Sequence, residues 1–377
     1  MSKSPPPLAA KEFFTAEFLN EPYPTYRRQL ENHGLQFIEI HGGIWAVFKY
    51  ADCASLIRDP RLSAKRTGAL IDQFPPERRR ELAELEHMFS LWMLFFDAPE
   101  HTRLRKLMNK GFAPAVVESL RPLVDQIVDR MLEPLRHAHT ADLLREFAHP
   151  LPARVIAEML GVPESLQKQF IQWSDAIATL FGNPYRTLDD AFAAQRAVLA
   201  LTDYFRSAVA ERRIQRGYDL ISLLLEIEED GEVLTEEELY AQCLMLLFGG
   251  HETTRNLIGN GIYTLLRNPQ QFAELRDHPQ HIRTAVEELL RYESPVQYTG
   301  RMVLEDFEIC GNQACPGQEI LFMLGSANRD PRQFKSSNAP QLTVGTIARR
   351  IRRQTTESNI HCGISRSRAP GFSSRPH

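Results

Sequence analysis

The sequence lacks the features that define several classes of protein. It contains no run of about 20 apolar residues, so it offers no candidate for a membrane-spanning helix. The N-terminal stretch Met-Ser-Lys-Ser-Pro-Pro-Pro has no apolar core of a signal peptide. The five cysteines form no CxxC pair and no dense cluster, which argues against a disulfide scaffold. The cysteine pattern leads us to expect a cytoplasmic protein, and the absence of a long apolar run leads us to expect no membrane partner. The net charge of −4 gives no reason to expect a nucleic-acid partner.

What remains is the composition of a globular protein rich in helices. The 377 residues are 43% hydrophobic and 24% charged, which is enough to bury a large core. Apolar residues recur at helical spacing, which predicts helices at 23–33, 117–132, 142–160, 165–181, 188–213, 235–266, 270–275 and 281–292. Alternating apolar residues predict a hairpin at 35–50 and short strands at 301–303, 307–309 and 319–324. The fold class is therefore mainly α with a small β-rich lobe.

The longest predicted helix carries an unusual stretch at its centre. Thr235 and Glu238 form a capping-box signature at its start. Gly249 and Gly250 follow an apolar run, and each glycine inside a helix costs about 1 kcal/mol relative to alanine. We therefore expect a weakened or bulged turn, with space for a flat group against the backbone. Glu252 and Thr253 come next and could pass protons there, although a kinked core helix would explain the same pattern.

Two further segments pair charged residues at helical spacing. In the segment that begins at Pro99, His101 and Arg105 are four residues apart and share one helix face. An imidazole beside a guanidinium could bind an anion, and the alternative is a solvated basic face. Glu288 and Arg291 are spaced to face each other in a later helix, which by itself indicates an ordinary ion pair.

The character of the sequence changes at Lys335. From there to residue 377 it has eight Lys and Arg residues against a single acid, Glu357, and apolar periodicity is lost. We therefore divide the chain into one domain at 1–334 and an aberrant tail at 335–377. The tail has the composition of a disordered segment or of a frameshifted reading frame.

Four motifs, in this order and at these separations, resemble the cytochrome P450 family in its bacterial soluble form. They are Pro99-Glu100-His101-Thr102-Arg103-Leu104-Arg105, Gly249-Gly250-His251-Glu252-Thr253-Thr254, Glu288-Leu289-Leu290-Arg291 and Ala327-Asn328-Arg329-Asp330-Pro331. The resemblance covers about residues 10–334 and implies a helical prism with a small β-rich lobe. It also implies haem b as cofactor and insertion of one oxygen atom of O2 into an organic substrate.

The resemblance assigns expected roles to individual residues. Glu252 and Thr253 match the catalytic acid–alcohol pair that delivers protons to iron-bound oxygen. The two glycines, Gly249 and Gly250, match positions that leave room for the porphyrin and dioxygen. Haem-propionate contacts are implied for three residues, namely His101, Arg105 and Arg301. Glu288 and Arg291 match a buried ion pair that supports the haem side of the fold.

The expected iron ligand is where the sequence departs from the family. The family ligand is a cysteine in a Phe-Gly-x-Gly-x-His-x-Cys-x-Gly loop, and no such loop follows Phe334. Ile360-His361-Cys362-Gly363 has a His, a Cys and a Gly in a different arrangement, so the iron ligand stays unassigned. Cys53 and Cys243 are interpreted as core residues, and Cys310 and Cys315 as incidental residues beside a turn.

Three functions remain open from the sequence. The first is a haem-thiolate monooxygenase that acts on a hydrophobic small molecule and takes electrons from a ferredoxin-type partner. The second is a non-catalytic, pseudogene-like remnant without the ligand loop, and the third is an all-α binding protein without redox chemistry. Apolar and aromatic residues at 89–96, 170–181 and 296–298 are expected to shape the substrate pocket.

Overall fold

The computed structural model describes residues 6–40, 42–182, 186–227 and 231–342. The helices of the first part are α1 (Ala10–Phe13), α2 (Ala16–Asn20), α3 (Tyr23–Glu31), α4 (Tyr50–Leu56), α5 (Thr67–Ile71), α6 (Pro76–Arg79), α7 (Ala83–Ser90), α8 (Glu100–Gly111) and α9 (Pro114–Ser119). Those that follow are α10 (Arg121–Arg136), α11 (Pro150–Met159), α12 (Glu164–Gly182), α13 (Leu188–Ile214), α14 (Leu220–Leu224), α15 (Glu236–Arg267), α16 (Pro269–Asp277), α17 (Ile282–Tyr292) and α18 (Leu324–Ala327). Short 3₁₀ turns occupy Arg80–Leu82, Met93–Phe95 and Pro279–His281.

The strands form a mixed sheet and a separate hairpin. They are β1 (Leu8–Ala9), β2 (Leu35–Glu39), β3 (Ile44–Val47), β4 (Leu62–Ser63), β5 (Thr299–Val303), β6 (Phe307–Ile309), β7 (Asn312–Ala314) and β8 (Glu319–Phe322). The sheet has the order β1-β2-β3-β8-β5-β4, in which β1 with β2 and β3 with β8 are parallel pairs. The predicted hairpin is confirmed in β2 and β3, with Phe37 opposite Trp45. Strand β5 is antiparallel to β8, with Met302 opposite Glu319.

Two helices differ from the predicted boundaries because of proline. The predicted helix at 117–132 is two helices, since α10 begins at Arg121 with Pro122 in its first turn. A proline in a helix interior would clash with the carbonyl four residues earlier, whereas in the first turn it fits. The predicted helix at 142–160 begins as a π-helical turn, Leu144–Ala148, and continues as α11 from Pro150.

The core lies around α15. Buried apolar side chains from α5, α7, α8 and α11–α15 form the largest cluster, and a second cluster covers one face of the sheet. Burial of this area is the main source of stability, because each Å² of apolar surface contributes about 25 cal/mol. No helix in the described ranges is both long enough and apolar enough to cross a bilayer.

The beginning of the predicted tail is packed against the helices. Leu342 is 2% exposed, and its backbone N–H donates to Oε1 of Gln271, 3.1 Å away. The Gln341 N–H donates to Oε1 of Glu288 at 2.8 Å. Packing therefore continues past residue 334, the predicted end of the domain. The division of the chain into a domain and a tail stays a prediction. Residues 343–377 lie outside the described part of the chain.

Candidate functional site

The helix α15 runs without a break through its two glycines. The predicted capping box is present, with the Glu238 N–H on the Thr235 hydroxyl at 3.2 Å and the Thr235 N–H on the Glu238 carboxylate at 2.9 Å. The expectation of a bulged turn is wrong, because packing of α15 in the core outweighs the small cost of each glycine. The hydroxyl bond expected one turn back does form, since Thr253 Oγ1 donates to the Gly249 carbonyl at 2.5 Å.

Glu252 has one bonded and one unbonded carboxylate oxygen. Oε1 accepts hydrogen bonds from Arg255 Nη2 at 2.5 Å and from Asn256 Nδ2 at 3.1 Å. Oε2 is buried and has no hydrogen-bond partner within the described part of the chain. A buried acceptor without a partner is unfavourable, by about 1–3 kcal/mol, so this oxygen is available to accept a hydrogen bond from a ligand. The sequence analysis missed Arg255, although its spacing of three residues from Glu252 was a readable signal.

Gly250 allows α11 to approach α15 closely. A Cβ atom built at Gly250 would lie 2.5 Å from Cδ1 of Ile156, a separation that real Cβ atoms do not show. The space that the glycine opens is therefore filled at least in part by Ile156, on α11. A role for Gly249 and Gly250 beside a porphyrin stays a prediction.

His251 connects α15 to α11 and α12. Its ring is completely buried, with Nδ1 2.9 Å from the Ser174 hydroxyl and Nε2 3.0 Å from the His149 carbonyl. Because a carbonyl only accepts hydrogen bonds, Nε2 carries the proton and Nδ1 accepts from Ser174. Burial lowers the pKa of His251 from 6.5 to about 4, so the ring is neutral at pH 7. The sequence analysis missed these contacts, which join residues far apart in the chain.

Three ligand-type side chains, those of His149, Asp175 and His251, lie within 4.8 Å of one another. His149 Nε2 is 3.0 Å from an Asp175 oxygen, and both ring nitrogens of His251 are already hydrogen-bonded. The group is therefore explained by hydrogen bonds between helices, and we assign no metal to it.

The residues expected to bind an anion come together. His101 and Arg105 lie on α8, and Arg301 lies on β5. Burial lowers the pKa of His101, and the charges of Arg105 and Arg301 lower it further. Burial also lowers the pKa of Arg301, with Asp97 acting in the opposite direction. Two guanidinium groups beside a half-buried imidazole favour an anionic ligand, and this arrangement differs from the solvated basic face considered from the sequence.

Glu288 and Arg291 form a buried, bidentate ion pair on α17. The two bonds, Nη2 to Oε1 and Nε to Oε2, measure 2.7 and 2.8 Å, and the side chains are 5% and 2% exposed. Arg291 Nη1 also donates to the Asn328 carbonyl at 2.8 Å. The pair thus joins α17 to the segment after α18. It is buried, whereas its spacing alone indicated an ordinary exposed pair.

Comparison with known proteins settles the family. A family model described as "Cytochrome P450" matches residues 41–339. The chain belongs to the cytochrome P450 family. The predicted resemblance and the mainly helical P450 fold with a small sheet region are both confirmed. These matches give no support to the alternative of an all-α binding protein of another class.

Several bacterial P450s are similar over most of the chain. The "Biotin biosynthesis cytochrome P450" of Bacillus subtilis (strain 168) is 36% identical over 334 residues, which cover 87% of this chain and 81% of that protein. The "Polyketide biosynthesis cytochrome P450 PksS" of the same organism is 35% identical, covering 84% and 75%. The crystal structure of P450BioI in complex with hexadec-9Z-enoic acid ligated acyl carrier protein matches with a TM-score of 0.80. It is 33% identical and covers 88% of this chain and 84% of that one.

The family implies haem b as cofactor. The residues expected at the haem propionates and beside the bound oxygen fit this group, whereas the iron ligand does not. The guanidinium groups of Arg105 and Arg301 suit the two propionates, and the His101 imidazole beside them can donate a hydrogen bond. Glu252 and Thr253 offer a carboxylate and a hydroxyl on adjacent residues of α15. These placements are compatible with the expected roles, which stay predictions.

The iron ligand is the part that does not fit. Cys53 and Cys243 are buried, as predicted, and burial raises the pKa of both thiols. Cys310 lies in the turn between β6 and β7, where burial raises the pKa of its thiol to about 11, and Cys315 directly follows β7. Cys362 lies outside the described residues, and the sequence contains no family ligand loop.

Proposed function

We propose that residues 6–342 are the substrate-binding and proton-delivering body of a haem-thiolate monooxygenase, which inserts one oxygen atom of O2 into a hydrophobic organic substrate. The observation that carries this proposal is the state of Glu252, whose Oε2 is buried and unbonded among the described residues. Such an oxygen can take up or release a proton without first breaking a hydrogen bond. The other oxygen, Oε1, accepts a hydrogen bond from Arg255, which restrains the carboxylate.

Haem b, when bound, would supply the reductive activation of dioxygen, while the protein supplies orientation and protons. His101, Arg105 and Arg301 would bind its propionates. The Thr253 hydroxyl, held on the Gly249 carbonyl, would relay a proton from Glu252.

An aromatic cluster supports a hydrophobic substrate. Ring centroids of Trp92 lie 6.2 Å from Phe95, 5.8 Å from Phe181 and 5.4 Å from Phe248. Phe248 directly precedes Gly249, so the cluster reaches the proposed proton-delivery turn of α15. Phe170, also expected near the pocket, packs against Tyr204 instead. Aromatic walls of this kind favour apolar ligands.

Electrons are proposed to come from a separate ferredoxin-type protein. The sequence contains no flavin or iron–sulfur motif that could supply them within the chain. A cytoplasmic location, where such donors are reduced, stays a prediction.

A second candidate follows from the missing ligand loop. Without a cysteine in the family arrangement, the chain would be a folded but non-catalytic member of the family, as the remnant hypothesis states. The two candidates have the same folded domain. They differ only in whether a cysteine thiolate is available to ligate the haem iron.

Grafting a ligand loop tests the proposal. Residues 343–377 are replaced by a family Phe-Gly-x-Gly-x-His-x-Cys-x-Gly loop and its following helix. We expect the grafted chain to bind haem and, with ferredoxin, its reductase and NADPH, to transfer labelled oxygen from O2 to an apolar substrate. In the grafted chain, Thr253→Ala should divert reducing equivalents from product to peroxide, whereas Thr187→Ala, a change at the cap of α13, should not. A grafted chain that binds haem while Thr253→Ala leaves peroxide release unchanged would contradict the proposed proton route.

A further inference from the structure

A polar cleft lies between α3, the C-terminal end of α15 and the end of α17. Its volume is about 480 Å³, and the residues that line it include Arg27, Thr264 and Arg267. Thr264 follows Thr253 by about three turns of α15, which is about 16 Å along the helix axis. The cleft is therefore separate from the proposed proton-delivery turn of α15, and the proposed mechanism does not use it.

One wall of the cleft is a stack of side chains that satisfy one another. The Arg329 guanidinium carbon lies 3.4 Å from the ring centroid of Tyr23 and 3.9 Å from that of Tyr292. Arg329 Nη2 donates to Oε1 of Glu293 at 2.6 Å, and the Tyr23 hydroxyl donates to Oε2 of the same carboxylate at 2.7 Å. Arg329 and Glu293 therefore neutralise each other, and the stacked rings hold this wall in place.

Three other side chains of the cleft have donors that are available to a ligand. Within the described ranges, the guanidinium groups of Arg27 and Arg267 form neither a hydrogen bond nor an ion pair. Thr264 is only 3% exposed, yet among the same residues its hydroxyl has no hydrogen-bond partner. A hydroxyl that is removed from water without a partner is unfavourable, so a ligand that bonds it is favoured.

The unpaired charges of the cleft are positive on balance. Glu21, at the start of the segment that leads into α3, is exposed and also lines the cleft. Its carboxylate opposes the two guanidinium groups of Arg27 and Arg267, while Arg329 and Glu293 cancel. The cleft therefore favours an anion over a cation.

We propose that this cleft binds a phosphate group, which is held by Arg27, by Arg267 and by the Thr264 hydroxyl. Arginine is suited to this task because its planar group binds phosphate oxygens through paired hydrogen bonds, and two guanidinium groups match the charge of a phosphate dianion. The cleft is much larger than a phosphate ion, and Tyr263, which also lines it, is 62% exposed. The chemical class is therefore a small phosphate monoester with a flat apolar group that stacks on the Tyr263 ring.

Binding of phosphate compounds to the purified full-length chain tests the proposal. Phosphorus NMR line widths of phenyl phosphate and of inorganic phosphate would be titrated with protein at pH 8 and constant ionic strength. We expect saturable binding of both, with phenyl phosphate bound about fivefold more tightly because of its ring. Benzyl alcohol, which has a ring without a phosphate, should not displace phenyl phosphate.

Matched variants separate a built site from the general charge of the surface. Arg27→Gln and Arg267→Gln should each weaken phenyl phosphate binding about tenfold. Arg28→Gln removes the same charge from the next position of α3, outside the cleft, and should leave binding unchanged. Thr264→Val should weaken binding about fivefold because it removes only the hydroxyl, and Glu21→Gln should strengthen it because it removes a repelling charge.

Absence of saturable binding by both phosphate compounds would overturn the proposal. Equal losses in Arg27→Gln and Arg28→Gln would overturn it as well, because binding would then follow the net charge of the protein. Equal affinities of phenyl phosphate and inorganic phosphate would overturn the assignment to a monoester and make free phosphate the ligand. Circular dichroism shows whether each variant is folded, and Arg27→Lys, which keeps the charge, should recover part of the binding.

None of these readouts requires haem, dioxygen or an electron donor. Failure of the grafted chain to transfer oxygen would therefore count against the proposed function and leave this test unaffected.

Discussion

Arg291→Ala is expected to destabilise the fold by about 3–5 kcal/mol. The substitution leaves the Glu288 carboxylate buried without its bidentate partner, and it removes the donor of the Asn328 carbonyl. Breaking a buried pair costs far more than the pair contributes, because the remaining charge is uncompensated. The free energy of unfolding would be measured by urea titration at pH 7.

An exposed pair of the same spacing provides the control. Arg206 and Asp203 are 2.6 Å apart on α13 and remain largely in solvent, so Arg206→Ala should cost less than about 1 kcal/mol. Adding Glu288→Gln to Arg291→Ala removes the stranded charge and should recover part of the loss. Equal effects of Arg291→Ala and Arg206→Ala would refute the account of this pair.

His251→Leu should destabilise the fold by about 2–4 kcal/mol at pH 7, because it leaves the Ser174 hydroxyl and the His149 carbonyl without their partner. The loss should shrink as the pH falls from about 6.5 to 4. The folded-state pKa of His251 is lowered to about 4, so the unfolded chain takes up a proton first and stability falls in this window. The shift corresponds to about 3 kcal/mol, at 1.36 kcal/mol per unit.

The comparison is made by urea unfolding of both chains at pH 7 and near pH 4.5. Other groups that titrate in this range affect both chains alike, so the difference between them reports on His251. His139→Leu, at an exposed position, is the control. Its free energy of unfolding should differ little from that of the natural chain at both pH values. A gap between His251→Leu and the natural chain that stays constant with pH would rule out a neutral, buried His251.

The sequence predicted best those features that depend on neighbouring residues. The capping box of α15 needs only Thr235 and Glu238, and the hydroxyl bond of Thr253 needs only Gly249 one turn earlier. Both could be read from spacing, as could the pairing of β2 with β3. The boundaries of α10 and α11 differ from those that apolar spacing predicts, because Pro122 and Pro150 fit the first turn of a helix and not its interior.

Features that join distant segments could not be read in this way. His251, Ser174 and His149 come from three separate parts of the chain, and only the fold brings them within hydrogen-bonding distance. The burial of the Glu288–Arg291 pair could likewise not be predicted from its spacing, because exposed pairs have the same spacing. Family resemblance supplied Arg301, which no local pattern had marked.

The absorption spectrum of the reduced, carbon monoxide-bound chain is the most direct test of the central claim, namely that a P450 body is present without its thiolate ligand. The full-length chain and its Cys362→Ser variant would be purified after growth with a haem precursor. We expect neither to show the red-shifted Soret band of a cysteine thiolate. A thiolate-type band in the full-length chain that disappears in Cys362→Ser would contradict the claim and make Cys362 the iron ligand.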